Sequence, residues 1–231
     1  RSIEVRPALR SVLDEAEQTR LRLTTNQAKI LRIIGSRKRA VISGGAGTGK
    51  TLIAVEKARQ LAESLEQVLL LCYNRPLADH MISVAPPQAE VMTFHGKTRE
   101  VYTQANGEPD FAEAGIFDAM TEHFMTAVSG MLPRWDLLIV DESQDFESGW
   151  IEALVSLAKA DGRVYIMGDE AQRIYKREPF NIENAVQITC MDNFRTPRQI
   201  VEDINRFGLT PEPIVARSPW EAPGRRASCL R

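Results

Sequence analysis

The sequence predicts an α/β fold, a parallel sheet with helices on both faces, and three features carry that expectation. Short apolar runs alternate along the chain with stretches of helical period. A glycine-rich segment, Gly44-Gly45-Ala46-Gly47-Thr48-Gly49-Lys50-Thr51, stands between one such run and an amphipathic stretch. A second run, Leu137-Leu138-Ile139-Val140, ends in Asp141-Glu142, which places two acids where parallel strands present their ligands.

In chain order, the runs at 40–42, 68–72, 90–93, 137–140, 164–167 and 185–190 predict strands. Between the first two, Leu52, Val55, Ala58, Ala62 and Leu65 fall on one helical face. Further helices are expected over 26–35, 76–83, 117–131, 150–160 and 197–207, the last stopped by Gly208. Residues 97–116 show no clean period and contain Asn106-Gly107, so they predict a loop or small insertion on top of the sheet. Beyond 208 the prolines 211, 213, 219 and 223 leave no convincing element. The domain expectation is an extension over 1–22, a first domain over 23–184 with an insertion at 97–134, and the start of a second domain over 185–231.

The chain has 231 residues, 26% of them charged, and a net charge of −2. That balance excludes a histone-like or polybasic mode of nucleic-acid binding and leaves room for a local basic groove. Three widely spaced cysteines argue against a disulfide framework or a zinc site and fit a reducing interior. No apolar run reaches the roughly 20 residues that span a bilayer, and the N-terminal stretch lacks a signal-peptide core. A cytoplasmic protein with no membrane partner is expected, and the missing initiator Met predicts a start inside a longer protein.

The glycine-rich segment matches G-x-x-x-x-G-K-[ST] in full, between a β-branched strand and a helix. Glycines allow a tight turn whose N–H groups point at phosphate oxygens, and the helix N-terminus adds partial positive charge beneath the same anion. Lys50 is expected to reach the β- and γ-phosphates of ATP, and the Thr51 hydroxyl to ligate Mg²⁺. Asp141 is the expected second metal ligand, and Glu142 the base that orients and deprotonates a water. A transferase to a small molecule needs no activated water, so adjacent acids favour hydrolysis.

The acidic run continues as Asp141-Glu142-Ser143-Gln144-Asp145. It closely resembles the D-E-x-Q-D box of UvrD/Rep/PcrA-type superfamily 1 DNA helicases, which are P-loop NTPases with RecA-like domains. Further stretches match that family's motifs in the same order. Leu23-Thr24-Thr25-Asn26-Gln27 resembles the Q-motif, which implies that Gln27 contacts adenine; a T-x-x-Q capping box is the rival reading. Tyr73-Asn74-Arg75 and Thr93-Phe94-His95 resemble two single-stranded DNA contact motifs. His95 could equally be a strand-end histidine, and Phe94 a core residue. The stretch from Gly168 to Tyr175 looks like the motif whose glutamine, here Gln172, senses the γ-phosphate. Tyr175 and Lys176 are the implied DNA contacts beside it. Asn193-Phe194-Arg195-Thr196 looks like the motif that brings an adenine-stacking aromatic, Phe194, and an arginine finger, Arg195. Gln144 and Gln172 are implied to link phosphate occupancy to the DNA side.

Two departures stand out. Leu52 occupies a position where family members often carry an arginine, and no Trp follows Tyr175. Motifs V and VI would lie beyond residue 231, in the rest of the helicase. The run Leu70-Leu71-Cys72-Tyr73-Asn74-Arg75-Pro76-Leu77-Ala78 and the short insertion also resemble bacterial members fused to a nuclease-related domain. The resemblance implies a helicase or translocase motor core acting on single-stranded or partly duplex DNA, with Arg195 delivered by the second domain on closure. The rival readings are a nucleotide-dependent DNA-binding switch that does not translocate and, ranked lower, a small-molecule phosphotransferase.

Overall fold

The computed structural model describes residues 25–64, 67–169, 182–210 and 213–218. Expectations for Thr24, Gln172, Tyr175, Lys176 and the extension over 1–22 lie outside the described residues. Helix α1 (Thr25–Gly35) leads into β1 (Arg39–Gly44), α2 (Lys50–Ala62), β2 (Val68–Cys72), α3 (Arg75–Val84) and β3 (Ala89–Thr93). Then follow α4 (Phe94–Asn106), α5 (Ile116–Ala127), β4 (Trp135–Val140), α6 (Ser148–Ser156), β5 (Ala158–Gly168) and β6 (Val186–Cys190). The short strands β7 (Asp192–Asn193) and β8 (Val215–Ala216) flank helix α7 (Arg198–Arg206).

Six strands form one sheet in the order β3-β2-β4-β5-β1-β6, and every neighbouring pair is parallel. Alternate residues of the central strands enter opposite cores. Ile42, Leu70, Ile139 and Met167 pack beneath Leu31 and Ile34 of α1, Ile53 and Ala58 of α2 and Met81 of α3. Val41, Leu69, Leu71, Leu138, Val140 and Ile166 face Phe94 and Val101 of α4, Phe124 of α5 and Leu154 of α6. Burial on both faces is why these strands read as continuous apolar runs. The parallel arrangement brings the C-terminal ends of all six strands to one edge, where the motif residues lie. No helix among the described residues is long and apolar enough to cross a membrane.

Three expectations differ from the structure. Residues 97–106 are helical, not loop. Thr93 caps α4 by accepting from Gly96 N at 3.0 Å, and Phe94, Lys97, Thr98 and Val101 form its buried face. The spacing i, i+3, i+4, i+7 is therefore present, but two of its four positions are polar and hide the period. Lys97 is tolerated there because it pairs with Glu100 at 2.8 Å and lies 5.7 Å from the Trp135 ring centroid. The strand after α6 starts at Ala158, earlier than expected, and takes an irregular step between its pairings with Trp135 and Leu137. Gly162 sits in that step, where a Cβ would come within 2.9 Å of the Lys159 and Trp135 carbonyl oxygens. Finally, β6 is not the start of a second sheet. It hydrogen-bonds along β1 from Ala40↔Val186 to Gly44↔Cys190, so the main sheet continues past the expected boundary at 184. The separate piece is the β7–β8 pair, with Asp192↔Val215 and Asn193↔Ala216 in register.

The capping role of Thr93 has a direct consequence. Thr93→Ala should lower unfolding stability by about 1 kcal/mol while Thr93→Ser stays close to wild type, as measured by urea midpoints. Equal stability of all three proteins would show that the cap contributes nothing.

Candidate nucleotide-binding site

Strand β1 is buried until Ile42 and then releases the chain into a loop that turns over the start of α2. Gly47 (φ 84°) and Gly49 (φ 83°) adopt the left-handed region, which non-glycine residues rarely enter. Both also permit close approach. A Cβ on Gly49 would collide with the Gln27 amide, and one on Gly47 would meet Arg195 Cβ at 2.6 Å. Thr48 steadies the turn by donating its hydroxyl to Gly45 O at 2.9 Å. The Lys50 ammonium folds back under the loop, donating to Gly44 O at 2.6 Å and Gly45 O at 3.2 Å.

Asp141 leaves β4 with no exposed surface. Its Oδ2 accepts from the Thr51 hydroxyl at 2.6 Å, and its Oδ1 from Glu142 N at 2.9 Å. Burial pushes the Asp141 carboxyl up to about 6, and the Glu142 charge adds to that. The Thr51 and backbone hydrogen bonds and the Lys50 charge act in the opposite direction. Two hard oxygens, the Thr51 hydroxyl and the Asp141 carboxylate, thus meet beside the ammonium, a donor set that suits Mg²⁺. Glu142 turns away in a left-handed conformation (φ 54°), and its Oε2 accepts from Gln144 Nε2 at 2.6 Å. Gln144 Oε1 in turn accepts from Asp169 N at 2.9 Å, just beyond β5. Gly168 makes room for this crossing, since a Cβ there would run into the Ser143 hydroxyl.

The remaining expected residues divide into those at the loop and those along the sheet edge. Gln27 is buried on α1 and donates to Thr48 O at 3.3 Å, so the helix that precedes β1 touches the loop directly. Phe194 N donates to Gly47 O at 2.9 Å, and the half-buried Phe194 and exposed Arg195 flank the loop. Arg195 was expected to arrive from a second domain; instead its backbone is fastened to Gly47 and Ala46 through Phe194 and Asn193. Along the edge, Tyr73 and His95 are half-buried and meet with ring centroids 5.5 Å apart. Burial pushes the His95 imidazole down. Asn74 caps α3 by accepting from Leu77 N at 2.9 Å, and Arg75 pairs with Asp79 at 2.8 Å; both are exposed. Phe94 is a correction. Expected among the DNA contacts, it is fully buried and stacked on Trp150 at 4.4 Å, because the start of α4 turns its side chain into the core.

Sequence reasoning attached no job to Asn193, yet it holds the loop's outer side. Its amide donates to Ala46 O at 2.8 Å, and its Oδ1 accepts from Arg195 N at 3.0 Å and Thr196 N at 2.8 Å. It also missed Asp192, which accepts from the Asn26 amide and, at 2.9 Å, from Arg217 Nε. An Asn that begins a turn is a legible signal; a partner 166 positions away, as Asn26 is from Asp192, is not.

A family model described as an AAA domain matches residues 27–178, well over half of the chain. The chain belongs to this family, an AAA domain of the kind found in UvrD/Rep-like superfamily 1 helicases. Among solved structures, the Pif1 helicase from Candida albicans is similar, with a TM-score of 0.51 and 15% identity over 83% of this chain and 45% of that one. A structure concerned with two coordinating Pif1 helicases unwinding forked duplex DNA aligns with a TM-score of 0.46 and 16% identity, over 80% of this chain and 47% of that one. The first of these likenesses establishes the fold, a P-loop NTPase sheet. This chain spans less than half the length of either solved chain. No curated protein matches it.

The buried carboxylate sets a pH dependence. The folded protein holds the Asp141 proton more tightly than a free carboxyl of pKa 3.8 does. Stability from this group is therefore complete below about pH 3.8 and is lost as pH rises through about 6, an effect of about 3 kcal/mol. Asp141→Asn keeps the acceptor for Thr51 and removes the charge, so its stability advantage over wild type should grow between pH 4 and pH 7.5 in urea titrations. A constant difference across that range would contradict the assignment.

Proposed function

We propose that this chain is the nucleotide-binding part of a DNA helicase or translocase motor that couples ATP hydrolysis to movement along single-stranded DNA. The observation that carries this reading is one continuous set of contacts. It joins Thr51 at the end of the loop to the paired acids (Asp141, Glu142), and Glu142 through Gln144 to the end of β5. A phosphate cradle alone suits many enzymes; a glutamine that bridges the second acid to a neighbouring strand end suits a machine that reports its nucleotide state.

In this reading Gly44, Gly45, Ala46, Gly47, Thr48 and Gly49 wrap the phosphates with backbone N–H groups. Lys50 leaves the carbonyls of Gly44 and Gly45 and turns to the β- and γ-phosphates. Thr51 and Asp141 hold Mg²⁺, which when bound neutralises phosphate charge. Glu142 keeps Oε2 on Gln144 and offers Oε1 to the attacking water, taking its proton as the water oxygen bonds to the γ-phosphorus and the bond from that phosphorus to the β–γ bridging oxygen breaks, releasing ADP. Arg195, at the outer side of the loop, neutralises charge on the departing phosphoryl group, and Gln172 is assigned the γ-phosphate sensor role. Gln27 and Phe194 each hydrogen-bond the loop, at Thr48 O and Gly47 O, and are assigned adenine contact by an amide edge and a ring face. Single-stranded DNA crosses the sheet edge at Tyr73 and His95, whose rings supply stacking surface. Asn74, Arg75 and Thr93 border that track, and Tyr175 and Lys176 are proposed to extend it. Motifs V and VI, and any fused nuclease-related domain, belong to the remainder of such a motor.

Nucleotide binding and hydrolysis measured with and without single-stranded DNA provide the test. Lys50→Ala should lower hydrolysis by about a hundredfold or more, and Glu142→Gln should do so while retaining binding. Tyr73→Ala combined with His95→Ala should abolish stimulation by DNA and leave DNA-free turnover intact. Robust hydrolysis by Lys50→Ala, or no response of the wild type to DNA, would overturn the motor reading. The chain by itself is expected to turn over slowly and to unwind no duplex.

A further inference from the structure

A pocket of about 380 Å³ opens between α1 and α2. Ala28, Leu31, Arg32, Gly35, Lys57 and Gln60 line it. Lys57 is only 4% exposed, and its ammonium lies 3.8 Å from where a Cβ on Gly35 would stand. Among the described residues, no group accepts a hydrogen bond from it and no carboxylate pairs with it. The charge that acts on it is another cation, Arg163. Burial lowers the pKa of the ammonium, and Arg163 lowers it further.

Among the described residues no acid compensates it. Glu56, the adjacent acid on α2, is engaged by Arg59 at 2.7 Å and Gln60 at 2.9 Å. Arg163 is fixed in place by donating Nη1 to Gly35 O at 3.3 Å, Arg37 O at 3.2 Å and the Tyr165 hydroxyl at 3.3 Å. Tyr165 pins the same turn through Ile34 O at 3.0 Å and Arg37 O at 2.9 Å. Arg32 stands exposed at the rim, and the turn itself reads Arg37-Lys38-Arg39. Within the described residues none of these side chains forms an ion pair. A largely buried ammonium close to another cation is unfavourable unless an anion joins it. The hydrogen bonds to the turn hold the Arg163 guanidinium in place.

We propose that this pocket binds a phosphate group, with Lys57 at its floor, Arg163 behind it and Arg32 closing the rim. The site is separate from the nucleotide cradle, since Lys50 and Lys57 are seven residues apart on one helix, roughly 10 Å along its axis. The same chemistry is offered by a free polyphosphate and by a nucleic-acid backbone, and the two are separable by experiment.

The experiment uses Lys50→Ala protein, so that the cradle contributes little anion binding, and follows acylation of Lys57 by mass spectrometry. Pyrophosphate is one probe and a short oligodeoxythymidine is the other. The expected result is that one or both protect Lys57. Lys57→Met should weaken binding of the protecting probe by about tenfold or more, and Arg32→Gln should weaken it to a lesser degree. Protection by pyrophosphate assigns the pocket to a small polyphosphate; protection by the oligonucleotide alone assigns it to backbone phosphate. Lys57→Met keeps the volume of the side chain and removes a buried charge, so it should melt no lower than its parent. Absence of protection by either probe, or binding unchanged in both variants, would overturn the proposal. Neither outcome depends on whether the chain hydrolyses ATP.

Discussion

The structure is organised around one electrostatic constraint, a carboxylate placed where water does not reach. Asp141 ends the strand between β2 and β5, and its lack of exposure follows from that central position. A charge so placed is unfavourable unless other groups approach it. Two of the groups that do come from the glycine-rich loop and the start of α2: the Thr51 hydroxyl, bonded to it, and the Lys50 charge. The end of the loop therefore comes against β4, with β1 lying one strand away, across β5. The register of three strands and the conformation of the loop serve a single short contact of 2.6 Å.

A second constraint acts on the loop from outside. Asn193 and Phe194 fasten the segment after β6 to Ala46 and Gly47, and Asn26 links α1 to the same segment through Asp192. Because β6 is itself the edge strand next to β1, Arg195 is carried by the sheet that holds the cradle. Any closure in the proposed motor brings new groups to an arginine already at the loop and does not deliver that arginine. Arg217 holds the other oxygen of Asp192, so the β7–β8 pair is tied to the residue that α1 also contacts. One carboxylate, Asp192, thus joins α1 to the residue that follows β8.

The parts legible in the sequence are those with a local cause. Strands buried on both faces must be apolar throughout, so β2 and β4 stand out. The glycines at 47 and 49 are demanded by their backbone conformation and by what presses on them. Helix α4 was obscured because Lys97 and Thr98 occupy its inward face, and polarity alone does not reveal that an ion pair and an aromatic ring compensate one of them. Phe94 was ambiguous for a related reason. In Thr93-Phe94-His95 the strand hands over to a helix, alternation fails at that point, and the side chain expected to point outward turns in. The membership of β6 in the main sheet depends on pairing with β1, about 145 residues earlier in the chain. No local pattern encodes a pairing over that distance.

Gln144 shows what the site gains from a neutral amide in place of a third charge. An amide offers a donor and an acceptor on the same rigid group, so its nitrogen can hold Glu142 while its oxygen holds Asp169 N. A lysine could hold only the acid, and a glutamate only the backbone N–H. Rotation of the amide that releases one partner misaligns the other, so in the proposed motor this two-ended geometry ties Glu142 to the end of β5. Gly168 keeps the crossing tight, because the strand end and the Ser143–Gln144 turn approach closer than any side chain would allow. The proposed coupling therefore rests on a close steric fit and one amide.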